Sequence, residues 1–221
     1  MSKNFTKFEY NLTHCFLEVA RTGAASTKDS DPKVQTIIDK VGPNPLANIV
    51  FGPVSVTIVY SFLAIESFVN YHLYHVWKTR NSDSEQSRRF IDEFGKFDNF
   101  EGIRTTKSGR DLPSKLKALC RIAGFAMPHE VLPDLWQDFL FLSKSSRHFM
   151  IHPYPDPDFF GTHVSRIMME TKTGKYIEIA EALIGHIYDQ ARWERPDWLS
   201  RSTLFKFSSV DVLYDPEQEK S

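Results

Sequence analysis

Apolar residues along this chain recur mainly at intervals of three and four, the spacing that places them on one face of an α-helix. Residues 4–21 carry Phe8, Leu12, Cys15, Phe16 and Val19 in that rhythm, and Thr22-Gly23 reads as a helix stop. Residues 24–48 are polar and proline-bearing, so they read mostly as loop. A long helix is predicted from about Pro53, with the proline in a first-turn position, to Trp77. It is apolar on two adjacent stripes. One holds Ile58, Phe62, Ile65, Val69 and Val76. The other holds Val59, Leu63, Glu66, Asn70, Leu73 and Trp77, so two polar residues interrupt an apolar face.

Residues 83–94 predict a short amphipathic helix, and 95–111 an irregular, basic connection. Residues 112–125 predict a helix with Leu116, Leu119, Cys120 and Ile122 inward and Lys115, Lys117 and Arg121 partly outward. Further helices are predicted over 132–151 and 174–193, separated by the proline-rich 153–161, which cannot be helical. Residues 203–213 alternate as a short β element would. The expected class is therefore all-α, a bundle of five to six helices with a long early helix. Residues 1–52 read as an N-terminal helix and loop extension, 53–195 as the helical core and 196–221 as a tail.

Composition adds limits. With 41% hydrophobic and 14% aromatic residues the chain can bury a core unaided. Lysine and arginine number 27 against 28 acidic residues, a net charge of -1, so no global field draws in a polyanion and any such partner must meet a local patch. Cys15 and Cys120 sit in apolar helical contexts without CxxC or Cys/His spacing, which reads as two buried thiols in a reducing compartment with no structural metal. The N-terminus lacks the apolar core of a signal peptide, and the apolar run 54–76 is broken by Glu66, Asn70 and His72. A soluble, cytoplasmic protein without cofactor or membrane association is expected.

The segment LSKSSRHFMIHPYPD, residues 142–156, carries the candidate chemistry. Arg147 and His152 stand at a helix end, because Pro153 forces His152 out of the α region. A terminal residue can swing back toward the Arg147 side and bring a guanidinium and an imidazole to one cleft. Arginine offers a planar fork that matches a phosphate, while histidine moves protons near neutral pH. The helix C-terminus favours the imidazolium and the nearby arginine opposes it, two effects of opposite sign.

Arg147-His148-Phe149-Met150-Ile151-His152 has the R-x4-H form, with a polar residue after the arginine, and in this it resembles the HEPN superfamily of helical ribonucleases and defence or toxin proteins. SFLAIESFVN, residues 61–70, is similar to the long early helix of those domains, in which an acidic residue is followed by an asparagine one turn later. The resemblance covers roughly residues 53–152. It implies a metal-independent endoribonuclease: the RNA 2′-hydroxyl attacks, His152 serves as general base or acid, Arg147 stabilises charge on the phosphate, and a 2′,3′-cyclic phosphate results. One histidine cannot be both acid and base in one step, so the resemblance also implies a homodimer with a composite site. His148 would orient the site, contact RNA or stand in solvent. Glu66 and Asn70 would support the site, with Arg147, His148 or their neighbours as hydrogen-bond partners. Tyr154 falls where one toxin subgroup is modified with AMP, and an antitoxin or regulatory protein is a further implied partner.

Residues 104–121 hold six basic side chains against one aspartate, so Lys115, Lys117 and Arg121, with Lys144, are candidate RNA contacts; a solvated helix face is the other reading. Pro157-Asp158 with Glu170 and Lys172 matches a metal-nuclease pattern in letters but lacks its strands, and His148 with His152, or His72 with His75, lacks the remaining ligands of a metal site. The rival to catalysis is a HEPN-like module that only dimerises or binds a partner.

Overall fold

A computed structural model describes residues 12–26, 44–81, 83–143 and 174–200, and among these all regular structure is helical, as the periodicity predicts. Helix α1 spans 13–26. It is followed by α2 (Asn44–Lys78), α3 (Glu85–Phe94), a 3-10 helix (Phe100–Thr105), α4 (Leu112–Ala123), α5 (Pro128–Val131) and α6 (Pro133–Phe141). Helices α7 (Gly174–Ala191) and α8 (Asp197–Ser200) complete the described order. At 1.5 Å per residue α2 is about 50 Å long, and α7, α4 and α3 pack along it. The core is the shared face of these helices: Ile58, Phe62, Ile65 and Leu73 from α2, Leu116 and Ile122 from α4, Tyr176, Leu183 and Ile187 from α7. The stretch Gly52–Lys78 is long and apolar enough to cross a membrane, and half of its apolar 18-residue window is buried inside this packing.

Three local expectations are corrected. The long helix starts at Asn44, so Pro53 lies inside it. A proline removes a single backbone donor, and the helix continues upstream past that gap. Gly23 is not a stop but part of α1, where it allows two helices to cross closely: a Cβ there would lie 2.7 Å from Thr57 Oγ1 and 2.9 Å from the Pro53 carbonyl oxygen. Cys15 is exposed, as is Leu12, because the buried face of α1 runs through Thr13, Leu17, Ala20 and Ala24 instead. Cys120 is buried as expected, and burial pushes its thiol up to about 12, which keeps it neutral and unreactive.

Helix α1 is joined to the body by a buried arginine. Arg21 pairs with Glu18 on its own helix and with Glu181 of α7, and its Nη1 donates to the Trp198 carbonyl at 2.8 Å. Helix α4 has both ends specified locally. Asp111 Oδ1 accepts from the Ser114 backbone N–H at 2.8 Å, and Gly124 takes the left-handed conformation (φ 73°) that closes the last turn. The predicted helix over 132–151 is α6 in its described part, preceded by the separate turn of α5. Its remainder, the proline-rich segment 153–161 and the alternating segment 203–213 lie outside the described residues.

Candidate functional site

Glu66 and Asn70 are one turn apart on α2 and line a cavity of about 570 Å³. They are not left alone there. Lys115 reaches across from α4, and its Nζ donates to Asn70 Oδ1 at 3.0 Å and lies 3.6 Å from Glu66 Oε1. Lys115 is 4% exposed, so its charge depends on these two oxygens; Glu66 keeps contact with solvent, its side chain 29% exposed.

The same face of α2 continues the wall. Tyr74 and Lys78 follow Glu66 and Asn70 at steps of four, and all four line the cavity. Lys78 Nζ stands 4.7 Å above the Tyr74 ring, and Phe100 meets that ring edge-on at 5.4 Å. Arg104, on the 3-10 helix, adds a second cation to the lining and pairs with Glu101 at 3.1 Å on the exposed rim. Tyr71 and Phe16 supply further aromatic surface. Arg80 holds the end of α2 against the connection that carries Phe100, donating to the Trp77 carbonyl at 2.8 Å and the Phe97 carbonyl at 3.0 Å.

A lysine ammonium can only donate, so the Asn70 atom facing Lys115 must be the carbonyl oxygen. The amide donors of Asn70 are thereby the groups it can offer a ligand. The cavity thus combines donors and cations with flat aromatic surface and one carboxylate, a set that suits an anionic, ring-bearing molecule.

The candidate residues divide by position. Glu66 and Asn70 are brought together, and among the described residues Lys115 is a partner of both. Lys115 turns inward, contrary to the outward orientation expected. Lys117 lies with Nζ 5.1 Å above the Trp136 ring, and Arg121 forms a two-pronged pair with Glu93. That pairing holds the Glu93 carboxyl below its ordinary range. Helix geometry separates Lys115 from the other two, since at about 100° per residue it lies well over a quarter turn from both, whereas Lys117 and Arg121, four positions apart, share a face. Lys144, Arg147, His148, His152 and Tyr154 lie outside the described residues. Arg104 opens the basic stretch 104–121 noted in the sequence, whereas Tyr74, Lys78 and Phe100 were not singled out, although the four-residue ladder 66, 70, 74, 78 was visible in it.

A second, more apolar cavity of about 360 Å³ lies on a neighbouring face of α2, lined by His72, His75, Leu119, Phe125, Ile187 and Trp193 among others. His72 stacks on Trp193 at 5.1 Å, and burial, with a smaller contribution from His75, pushes its pKa down to about 4. Among the described residues no group of three or more His, Cys, Asp or Glu side chains is placed to hold a metal ion. Comparison of the chain with protein-family models, with curated proteins and with solved structures finds no match.

Proposed function

We propose that this chain is a metal-independent endoribonuclease of HEPN type that acts as a homodimer. The observation that supports the reading is the placement of Glu66 and Asn70, the acidic-asparagine pair of the long early helix, on the wall of a cavity carrying cations and aromatic rings. In this mechanism His152 takes the proton of an RNA 2′-hydroxyl as its oxygen bonds to the adjacent phosphorus. The bond from phosphorus to the 5′-oxygen breaks, and the imidazolium of the second copy protonates that oxygen. Arg147 stabilises the charge that grows on the phosphoryl oxygens. Products are a 2′,3′-cyclic phosphate and a 5′-hydroxyl.

The alternative is a HEPN-like module that binds a partner without cleaving RNA, a reading in which the Lys115 contacts to Asn70 and Glu66 serve the packing of α2 on α4. One experiment separates them. Purified protein incubated with RNA in EDTA is expected to give fragments with cyclic phosphate ends, and His152→Ala to abolish them with an unchanged circular dichroism spectrum. Equal cleavage by that variant removes the catalytic assignment, and a folded wild type that leaves RNA intact supports the binding module.

A further inference from the structure

We propose that the second cavity, where α2, α4 and the end of α7 meet, binds a small neutral aromatic molecule carrying a hydroxyl, of the phenol class. The ligand ring lies among the aromatic walls, and its hydroxyl bonds to His72 Nε2. The site is independent of RNA cleavage, since none of the residues assigned to that chemistry lines this cavity.

The lining sets the charge and shape of the ligand. At about 360 Å³ the cavity stands at the small end of small-molecule sites. Tyr71, His72, His75, Phe125 and Trp193 present ring surface, and Leu119 and Ile187 are fully apolar and buried. Among the described residues no lysine, arginine, aspartate or glutamate lines it. A charged ligand would lose its water there without gaining a counterion, whereas a flat neutral ring gains apolar and ring contact.

His72 sets the polar group. Its Nε2 is screened from water and has no hydrogen-bond partner among the described residues, a state that native proteins seldom leave unfilled. With its pKa pushed down to about 4, the imidazole is neutral near pH 7 and has one donor and one acceptor nitrogen. A hydroxyl both donates and accepts, so it meets Nε2 in either tautomer, which a carbonyl cannot.

Trp193 provides the way in. Its ring stacks on His72 at 5.1 Å, meets Tyr188 edge-on at 5.9 Å and is 48% exposed. The backbone that carries it is anchored. Arg192 takes the left-handed φ of 54°, and the Trp193 N–H returns to the Tyr188 carbonyl at 3.0 Å. Arg195 then pairs with Asp189 and lies over Gly185, where a Cβ would meet its guanidinium at 3.1 Å. The indole therefore turns on a fixed chain, and its outward swing uncovers His72 Nε2. Helix α7 also holds the segment bearing Phe125: His186 Nε2 lies 3.2 Å from the Ala126 carbonyl oxygen, and the Ala126 N–H donates to Gln190 Oε1 at 3.3 Å.

The test is a ligand-observed NMR titration of the full chain at pH 7 with phenol, toluene and benzoate, which carry a hydroxyl, a methyl and a carboxylate on the same ring. Phenol is expected to bind about threefold to tenfold more tightly than toluene, the net effect of one hydrogen bond, and benzoate more weakly than either. His72→Phe keeps a ring and should bring phenol down to toluene. Trp193→Ala should weaken both about tenfold, as loss of a ring contact does, and Ala123→Leu, which fills the cavity from α4, should abolish binding. Circular dichroism verifies the fold of each variant, and the wild-type ranking of the three probes needs no variant at all. No phenol binding by wild-type protein, or unchanged phenol affinity in folded Trp193→Ala and Ala123→Leu, overturns the site. Toluene or benzoate binding as tightly as phenol overturns the ligand class.

Discussion

A buried ammonium is tolerated where opposing oxygens replace its water, and Lys115 obtains Asn70 and Glu66 for that purpose from a helix 45 positions earlier. Truncation to Lys115→Ala should cost about 2–3 kcal/mol, less than for a fully buried pair because Glu66 can return to water; urea unfolding measures it. His72 presents the opposite case, a group kept neutral by its surroundings. Its pKa is pushed from 6.5 to about 4, so between those values the unfolded chain binds the proton that the native state refuses. Its contribution is complete above about pH 6.5 and is lost as pH falls through 4, a loss of about 3 kcal/mol by linkage. Urea midpoints at pH 7 and pH 4 are expected to differ accordingly, and His72→Leu to flatten that slope. Neither residue's surroundings were legible locally. Glu66 and Asn70 stood out because polar groups interrupted an apolar stripe, but nothing near Lys115 in the sequence distinguishes it from Lys117, two positions on.

Among elements, α2 organises the molecule, and its crossing with α1 depends on the absence of a side chain at Gly23. Adding a Cβ there drives it against a backbone carbonyl that cannot rotate away, so Gly23→Ala should destabilise by about 1–3 kcal/mol, the usual cost of overpacking. A thermal melt of this variant beside Gly52→Ala, where a Cβ meets nothing within 4 Å, checks the assignment. Helices α3 and α4 were legible because their signals are local. Ser84 caps α3 within three residues, and Asp111 and Gly124 bracket α4 in the same way. The start of α2 was misjudged because a proline reads as a helix beginning until neighbouring elements show that it is held inside one.

At the scale of the whole molecule, near-neutral charge means that any nucleic acid must be captured at a local site rather than by the field of the entire surface. The composite-site reading adds a concentration dependence. A homodimeric ribonuclease should lose specific activity on dilution below its dimer constant, in step with conversion to the 25.6 kDa monomer in sedimentation velocity. Activity per chain that stays constant across that transition removes the composite site. The sequence by itself determined the helical class and the caps, because hydrophobic period and capping chemistry act over a few neighbouring residues. It also set Glu66, Asn70, Tyr74 and Lys78 on one ladder, since four-residue steps share a helix face. Only the tertiary structure decided that Lys115 turns inward to that ladder while Lys117 and Arg121 turn away. It likewise decided that Phe100 and Arg104, from a connection some 30 positions on, close the cavity's far side, because such contacts depend on how helices pack and not on the spacing within any one of them.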